Sequence, residues 1–251
     1  MARSPWRLSQ FAAELNQVEA QLERASLTAC VLLGDPSRGL TRVSARGKTL
    51  GCDLLGVRTP LGLPAPNLLD AYARVGDLVA TYSESPEWPF RVQIYWRECT
   101  SDYPGAIGAV ELLASVQTDL LDTQPELFAG SRFSAGSVSI CCFDKNPSGV
   151  SVLRAPAEIG RASAGCFIVR SLADGISYAE LIHPADFRGS LIEDTETGST
   201  SLKHRLFAER LEKGVILRAR VLGLIVDEAH DLEIAGAAYE SFCHAPPPLT
   251  T

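Results

Sequence analysis

The chain has 251 residues, 46% of them AVILMFWYC and 21% charged, with 20 glycines and 15 prolines. This is an ordinary globular composition, and it excludes a disordered segment, a collagen-like repeat or a coiled-coil rod. With 23 Lys and Arg against 30 Asp and Glu the formal charge is -7, so no bulk positive field exists to gather nucleic acid or anionic lipid.

The N-terminal residues Leu8, Phe11, Leu15, Val18 and Leu22 recur every three or four positions, with Ser4 and Pro5 upstream as cap and first-turn residues. That spacing predicts an amphipathic helix over residues 1–27, packed on the body or offered to a protein partner or a second copy. After Leu27 the period changes to alternation. Strands are expected over Thr28–Leu33, Lys48–Val57, Asp77–Tyr82 and Phe90–Arg97, interrupted by proline-bearing loops at Thr59–Asn67 and Ser83–Pro89.

Gly108–Leu121 alternates as a long half-buried strand, followed by Ser134–Phe143 and Gly149–Arg154. Gly165–Leu172 and Ile176–His183 read as a hairpin closed by Ala173-Asp174-Gly175, the strongest turn signal in the chain. Ser190–Ser201 is polar and acidic and reads as a loop before a strand beginning near His204. Gly214–Val226 carries Arg218 and Arg220 on one face, which then turns apolar at Leu222, Leu224 and Val226, so its second half should be covered on both sides. A closing helix is predicted over 231–243 with Asp231 as N-cap, ahead of a proline-rich tail at Pro246, Pro247 and Pro248 that is too short to fold alone.

The expected fold is mainly β: an antiparallel β-sandwich over 28–251, flanked by the N-terminal amphipathic helix and the short C-terminal one. The halves show no aligned repeat. Seven scattered cysteines, an odd number with Cys141 and Cys142 adjacent, read as reduced thiols of a cytoplasmic protein. No apolar run approaches the ~18 residues of a membrane span, and no secretory signal is expected.

No phosphate loop, Cys-x-x-Cys, His-Glu-x-x-His, nucleophile elbow or EF-hand loop occurs in the sequence, and none of the 4 histidines lies within four residues of another, so neither cofactor nor metal is expected. Three constellations remain. Alternation puts Arg91, Gln93, Tyr95 and Arg97 on one strand face, with Trp88 on the adjoining loop: a stacking ring, an amide and two guanidinium forks suited to a carbohydrate or carboxylated ligand, or an outward face whose arginines lie on the tyrosine. His183 or His204 paired with Glu180 or Glu209 supplies an acid and a base if they converge in one cleft. Arg218 and Arg220, about 7 Å apart on one face, are placed to grip an anion or to pair with neighbouring acids.

These features favour a carbohydrate-interacting protein that binds through the aromatic and arginine strand face. The alternatives are a structural or assembly subunit without a small ligand, using the N-terminal stripe or the proline tail, and a sugar-active enzyme, epimerase-like or lyase-like, using a His/carboxylate pair. The sugar readings rest on fold-level analogy.

Overall fold

The computed structural model describes residues 4–9, 18–59, 67–86, 88–134, 138–143, 150–160, 165–173, 175–196, 198–207 and 209–246. One sheet runs in the order β1 (Trp6–Leu8), β2 (Glu19–Glu23), β3 (Leu27–Leu32), β4 (Leu40–Ala45), β6 (Cys52–Arg58), β12 (Phe128–Phe133), β19 (Thr200–Arg205), β18 (Ser190–Asp194), β15 (Ala157–Ile159), with the short β5 (Lys48–Thr49) beside β4. The second runs β14 (Val150–Leu153), β13 (Ser139–Phe143), β16 (Cys166–Ala173), β17 (Ile176–Ile182), β21 (Ile216–Asp227), β10 (Gly108–Gln117), β9 (Arg91–Glu98), β8 (Asp77–Tyr82), β7 (Leu68–Arg74). A small ribbon joins β11 (Asp122–Thr123) to β20 (Leu211–Glu212), and α1 spans Asp231–His244. The chain is thus mainly antiparallel β with one C-terminal α-helix among the described residues.

Alternation places Val31, Leu54, Val57, Phe133 and Leu202 of the first sheet in one core with Leu78, Ile94, Trp96, Leu112 and Val221 of the second. Large apolar side chains of this kind contribute about 1.5–3 kcal/mol each on burial. Two polar ends within that core find backbone acceptors: Tyr82 donates its hydroxyl to the Leu33 carbonyl at 2.8 Å, and the Trp96 indole donates to the Leu55 carbonyl at 3.2 Å. The far face of the second sheet is covered as its sequence requires, with Ala235, Ala238 and Phe242 of α1 packed on Leu181, Leu222, Leu224 and Val226.

Among the described residues the expected N-terminal helix is not seen. Trp6–Leu8 and Glu19–Glu23 are paired strands, Trp6 opposite Leu22 and Leu8 opposite Ala20, and β2 continues onto β3. Edge pairing with a large sheet, and the Trp6 indole donating to the Gly76 carbonyl at 2.8 Å, outweigh a helical spacing read from sequence alone. Trp6 and Leu22 are buried; Phe11 and Leu15 lie outside the described residues.

Ser190–Ser201 is a hairpin rather than a loop: β18 pairs with β19 from Ser190 opposite His204 to Asp194 opposite Thr200. Its inward residues, Ser190 and Ile192, are few, and its polar residues face outward into a cleft, which hid the alternation. Asp231 does not cap α1 with its side chain; His230 holds the cap position, and the buried Asp231 carboxylate accepts from Arg170 at 2.7 and 2.9 Å and from Ser177 at 2.9 Å. The hairpin across Gly175 is present, whereas the long strand from Gly108 ends at Gln117 and leaves Leu121 exposed.

Candidate functional site

Period two on β17 sends Tyr178 and Glu180 into the space between the sheets and His183 to the opposite face. There Glu180 Oε1 lies 2.6 Å from His204 Nε2, while Oε2 accepts from Tyr178 at 2.7 Å and from Ser131. His204 Nδ1 is 2.6 Å from Ser190 Oγ, and Ser131 Oγ also accepts the Leu55 amide at 3.1 Å. Glu180 and His204 are both 0% exposed, and burial, then the neighbouring carboxylate, holds the Tyr178 phenol well above its ordinary range. One carboxylate of the second sheet therefore ties together the inner sides of β12, β18 and β19 in the first.

Above this hub, on the outer side of the same strands, is a cleft of about 380 Å³. The register gives it rows: Arg58, Phe128 and Arg205 in one, Gly56, Gly130, Lys203 and Leu191 in the next, and Arg132, Ser201 and Glu193 in the third. Two glycines in the middle row leave no side chain between the flanking cations. A bulge at Leu55, whose φ is +54°, turns both Leu54 and Leu55 into the core and shifts the pairing of β6 with β12 beyond Gly130.

Among the described residues four cations and two carboxylates line the cleft. Glu126 pairs with Arg205 at 3.3 Å and Glu193 with Lys203 at 2.5 Å. Arg58 and Arg132 form no ion pair among the described residues. Arg58 is 8% exposed; one of its terminal nitrogens donates to the Ser37 carbonyl at 3.0 Å, but its Nε has no partner, and neither has the hydroxyl of the 1% exposed Ser201 in the same cleft. Burial, and next the charge of Arg132, pulls the Arg58 pKa below the ordinary guanidinium value. Buried polar atoms are almost always paired, and Arg58 Nε and Ser201 Oγ are two exceptions within one basic cleft.

The residues singled out from sequence are scattered over several places. His204 and Glu180 do meet, but sealed in the core rather than in a cleft. His183 sits beside α1, its Nε2 donating to the Cys243 carbonyl at 3.3 Å and its Nδ1 accepting the Ala185 amide at 3.3 Å, and Glu209 is engaged with Arg188 at 2.5 Å. Neither joins the buried pair; the two are linked through Arg188, which also donates to the Ala185 carbonyl at 2.6 Å. Trp88 is 1% exposed and packs on Phe90 with ring centroids 5.9 Å apart, so it cannot stack on a ligand.

Arg97 is committed to Asp77 at 2.7 Å, while Tyr95 donates to Gln93 at 2.6 Å. Arg91, Gln93 and Arg218 share a smaller depression on the outer face of the second sheet. Arg220 does not join Arg218: it is buried over the Phe242 ring, 3.8 Å from Glu111, and donates to the Ala245 and Pro246 carbonyls. Sequence reasoning missed Arg58, Arg132, Ser201 and Lys203. Their signal is the run Gly56-Val57-Arg58 against Gly130-Ser131-Arg132, which alternates only once the bulge is known.

Among the described residues no group of three or more His, Cys, Asp and Glu side chains is placed to hold a metal, and no helix is long and apolar enough to cross a membrane. The chain matches no family model and no curated protein. Its fold is nevertheless that of solved structures. A galactose 1-epimerase from Lactobacillus acidophilus superposes with a TM-score of 0.58 at 8% identity, over 90% of this chain and 99% of the other. A protein of Escherichia coli K12 provisionally described as an aldose 1-epimerase gives 0.57 at 9% identity, over 88% and 99%. A TPR-domain containing protein from Parabacteroides distasonis gives 0.59 at 8% identity, over 94% of this chain and 50% of that one.

Proposed function

We propose that the chain is a β-sandwich carbohydrate-binding domain that takes an anionic sugar, one bearing a carboxylate or phosphate, in the cleft over β6, β12, β19 and β18. The observation that carries this reading is the pair of unpartnered buried groups, Arg58 Nε and Ser201 Oγ, in a cleft where Arg58 and Arg132 also lack carboxylate partners. A planar guanidinium fork recognises carboxylate and phosphate, and Arg205, held over the Phe128 ring, adds a further cation to the cleft. The sugar reading is supported by the likeness of the fold to structures described as aldose epimerases.

Binding is favoured over catalysis. The cleft is lined by no histidine, its two carboxylates are held by Arg205 and Lys203, and the Glu180–His204 pair lies beneath its floor, out of reach of a substrate. The test joins two assays on the purified chain: titration with D-glucose 6-phosphate, D-glucuronate and D-glucose, and polarimetry of freshly dissolved sugar. The expected result is binding of the two anionic sugars in preference to glucose, with mutarotation no faster than without protein. Equal binding of glucose, or accelerated mutarotation, overturns the proposal.

A further inference from the structure

The outer face of the second sheet holds a separate depression of about 220 Å³. The ladder sets Thr81, Gln93, Ser115 and Arg218 in one row across β8, β9, β10 and β21, and Arg91 stands one pleat along β9, opposite Gln117. This row is polar throughout. The Gln93 amide is fixed from two sides, donating to Thr81 Oγ1 at 3.0 Å and accepting the Tyr95 hydroxyl at 2.6 Å. Ser115 is 8% exposed, yet its hydroxyl makes no hydrogen bond to the described residues.

Arg24, Arg38, Arg97, Arg170, Arg188 and Arg210 each find a carboxylate, as expected in a chain of net charge -7. Among the described residues Arg91 and Arg218, like Arg58, Arg74, Arg132 and Arg154, form no ion pair, and none of those that line the depression is a carboxylate. Arg91 and Arg218 rise from strands two ladder spacings apart and stand two residues out of line, about 12 Å between their Cα positions, a span that two long arginine side chains close around one anionic group.

We propose that this depression is a second ligand site, for a small hydroxylated carboxylate or phosphate ester. The anion lies between Arg91 and Arg218, and ligand hydroxyls meet Ser115, Gln117 and the oriented Gln93 amide. Tyr95 acts as a positioning residue through Gln93. The volume limits the occupant to something below the ~300 Å³ at which drug-sized pockets begin. This site stands on its own residues and does not depend on the cleft of the first sheet.

The experiment is calorimetric titration of the full chain, separately with D-glucuronate and D-glucose 6-phosphate, with D-glucose as the neutral control. Four forms are compared: wild type, R58Q/R132Q, R91Q/R218Q and the quadruple variant, with Ser115→Ala as a milder probe of the second site. Two binding events per wild-type chain are expected, one surviving in each double variant and none in the quadruple, with Ser115→Ala weakening the second event several-fold. The arm that binds more tightly identifies carboxylate or phosphate as the anion. A single event abolished by R58Q/R132Q and untouched by R91Q/R218Q overturns the second site and leaves the cleft standing. A single event abolished only by R91Q/R218Q supports the second site and overturns the cleft. Equal binding of glucose at the second site overturns the anion assignment.

Discussion

Glu180 Oε1 and His204 Nε2 lie 2.6 Å apart with both side chains at 0% exposure, one on each of the two large sheets. A pair of this chemistry in an open cleft is an acid and a base. Here, enclosed and with its other positions filled by Tyr178, Ser131 and Ser190, it is a clamp between the sheets. Removing one partner leaves the other buried and unmatched, at a cost of about 3–5 kcal/mol. Glu180→Ala and His204→Ala should therefore each lower the melting temperature by roughly 6–20 °C at ~2–4 °C per kcal/mol for a chain of this size. The double variant should cost clearly less than the sum, because the two act as one unit; strict additivity in denaturant unfolding would show that they do not.

Arg58 is the reverse case. Its guanidinium is nearly buried with an unpartnered Nε, and burial lowers its pKa. The proposed ligand role makes Arg58 a group that contributes little to the fold itself, so Arg58→Met should leave the unfolding free energy within about 1 kcal/mol of wild type, or raise it. A loss above about 2 kcal/mol in chemical denaturation would make Arg58 a structural residue.

Two ion pairs at the ends of the same stretch separate buried from exposed electrostatics. Asp231, at 2% exposure, is gripped by Arg170 and Ser177, whereas Asp227 meets Arg46 at 3.0 Å in the open. Asp231→Ala should cost about 3 kcal/mol or more, while Arg46→Ala should cost far less, with an effect that shrinks as salt is added. Comparable losses from the two substitutions in urea unfolding would refute this ranking.

His183 gives a pH dependence of defined sign. Burial, then the charge of Arg220, holds its pKa below the ordinary 6.5, and both ring nitrogens are hydrogen-bonded as a neutral imidazole requires. The unfolded chain takes up the proton first, so this contribution is complete above the unfolded value and is lost as pH falls through and below 6.5. The difference in melting temperature between wild type and His183→Gln should shrink as pH is lowered from neutral into that range. A difference independent of pH would show that His183 does not titrate differently in the two states.

The sequence made most of the second sheet legible because its strands are strict: Asp77–Tyr82 appears at the expected residues, and Arg91–Glu98 and Ile176–Ile182 within one. Their inward residues are large and apolar, and the turns between them carry Gly or Pro. The first sheet was harder to read. Leu40–Ala45 follows a turn with little apolar contrast, Phe128–Phe133 contains a glycine and a buried serine, and Leu54 and Leu55 break the alternation at a bulge. The cleft is built on those irregular strands, so its residues were invisible to period counting. Glu180 and His204 were legible as chemistry but not as location, since alternation fixes which face a side chain takes and not what covers that face.

The central claim is that the cleft above the Glu180–His204 clamp binds an anionic sugar through Arg58. Its most direct test is the dissociation constant for D-glucose 6-phosphate and for D-glucuronate in the R91Q/R218Q chain, with and without Arg58→Gln, at low and at physiological salt. Loss of a charge-assisted hydrogen bond predicts a weakening of about tenfold or more on substitution, and binding that weakens further with salt. Affinity for both sugars unchanged by Arg58→Gln, or no binding at all before the substitution is made, would contradict it.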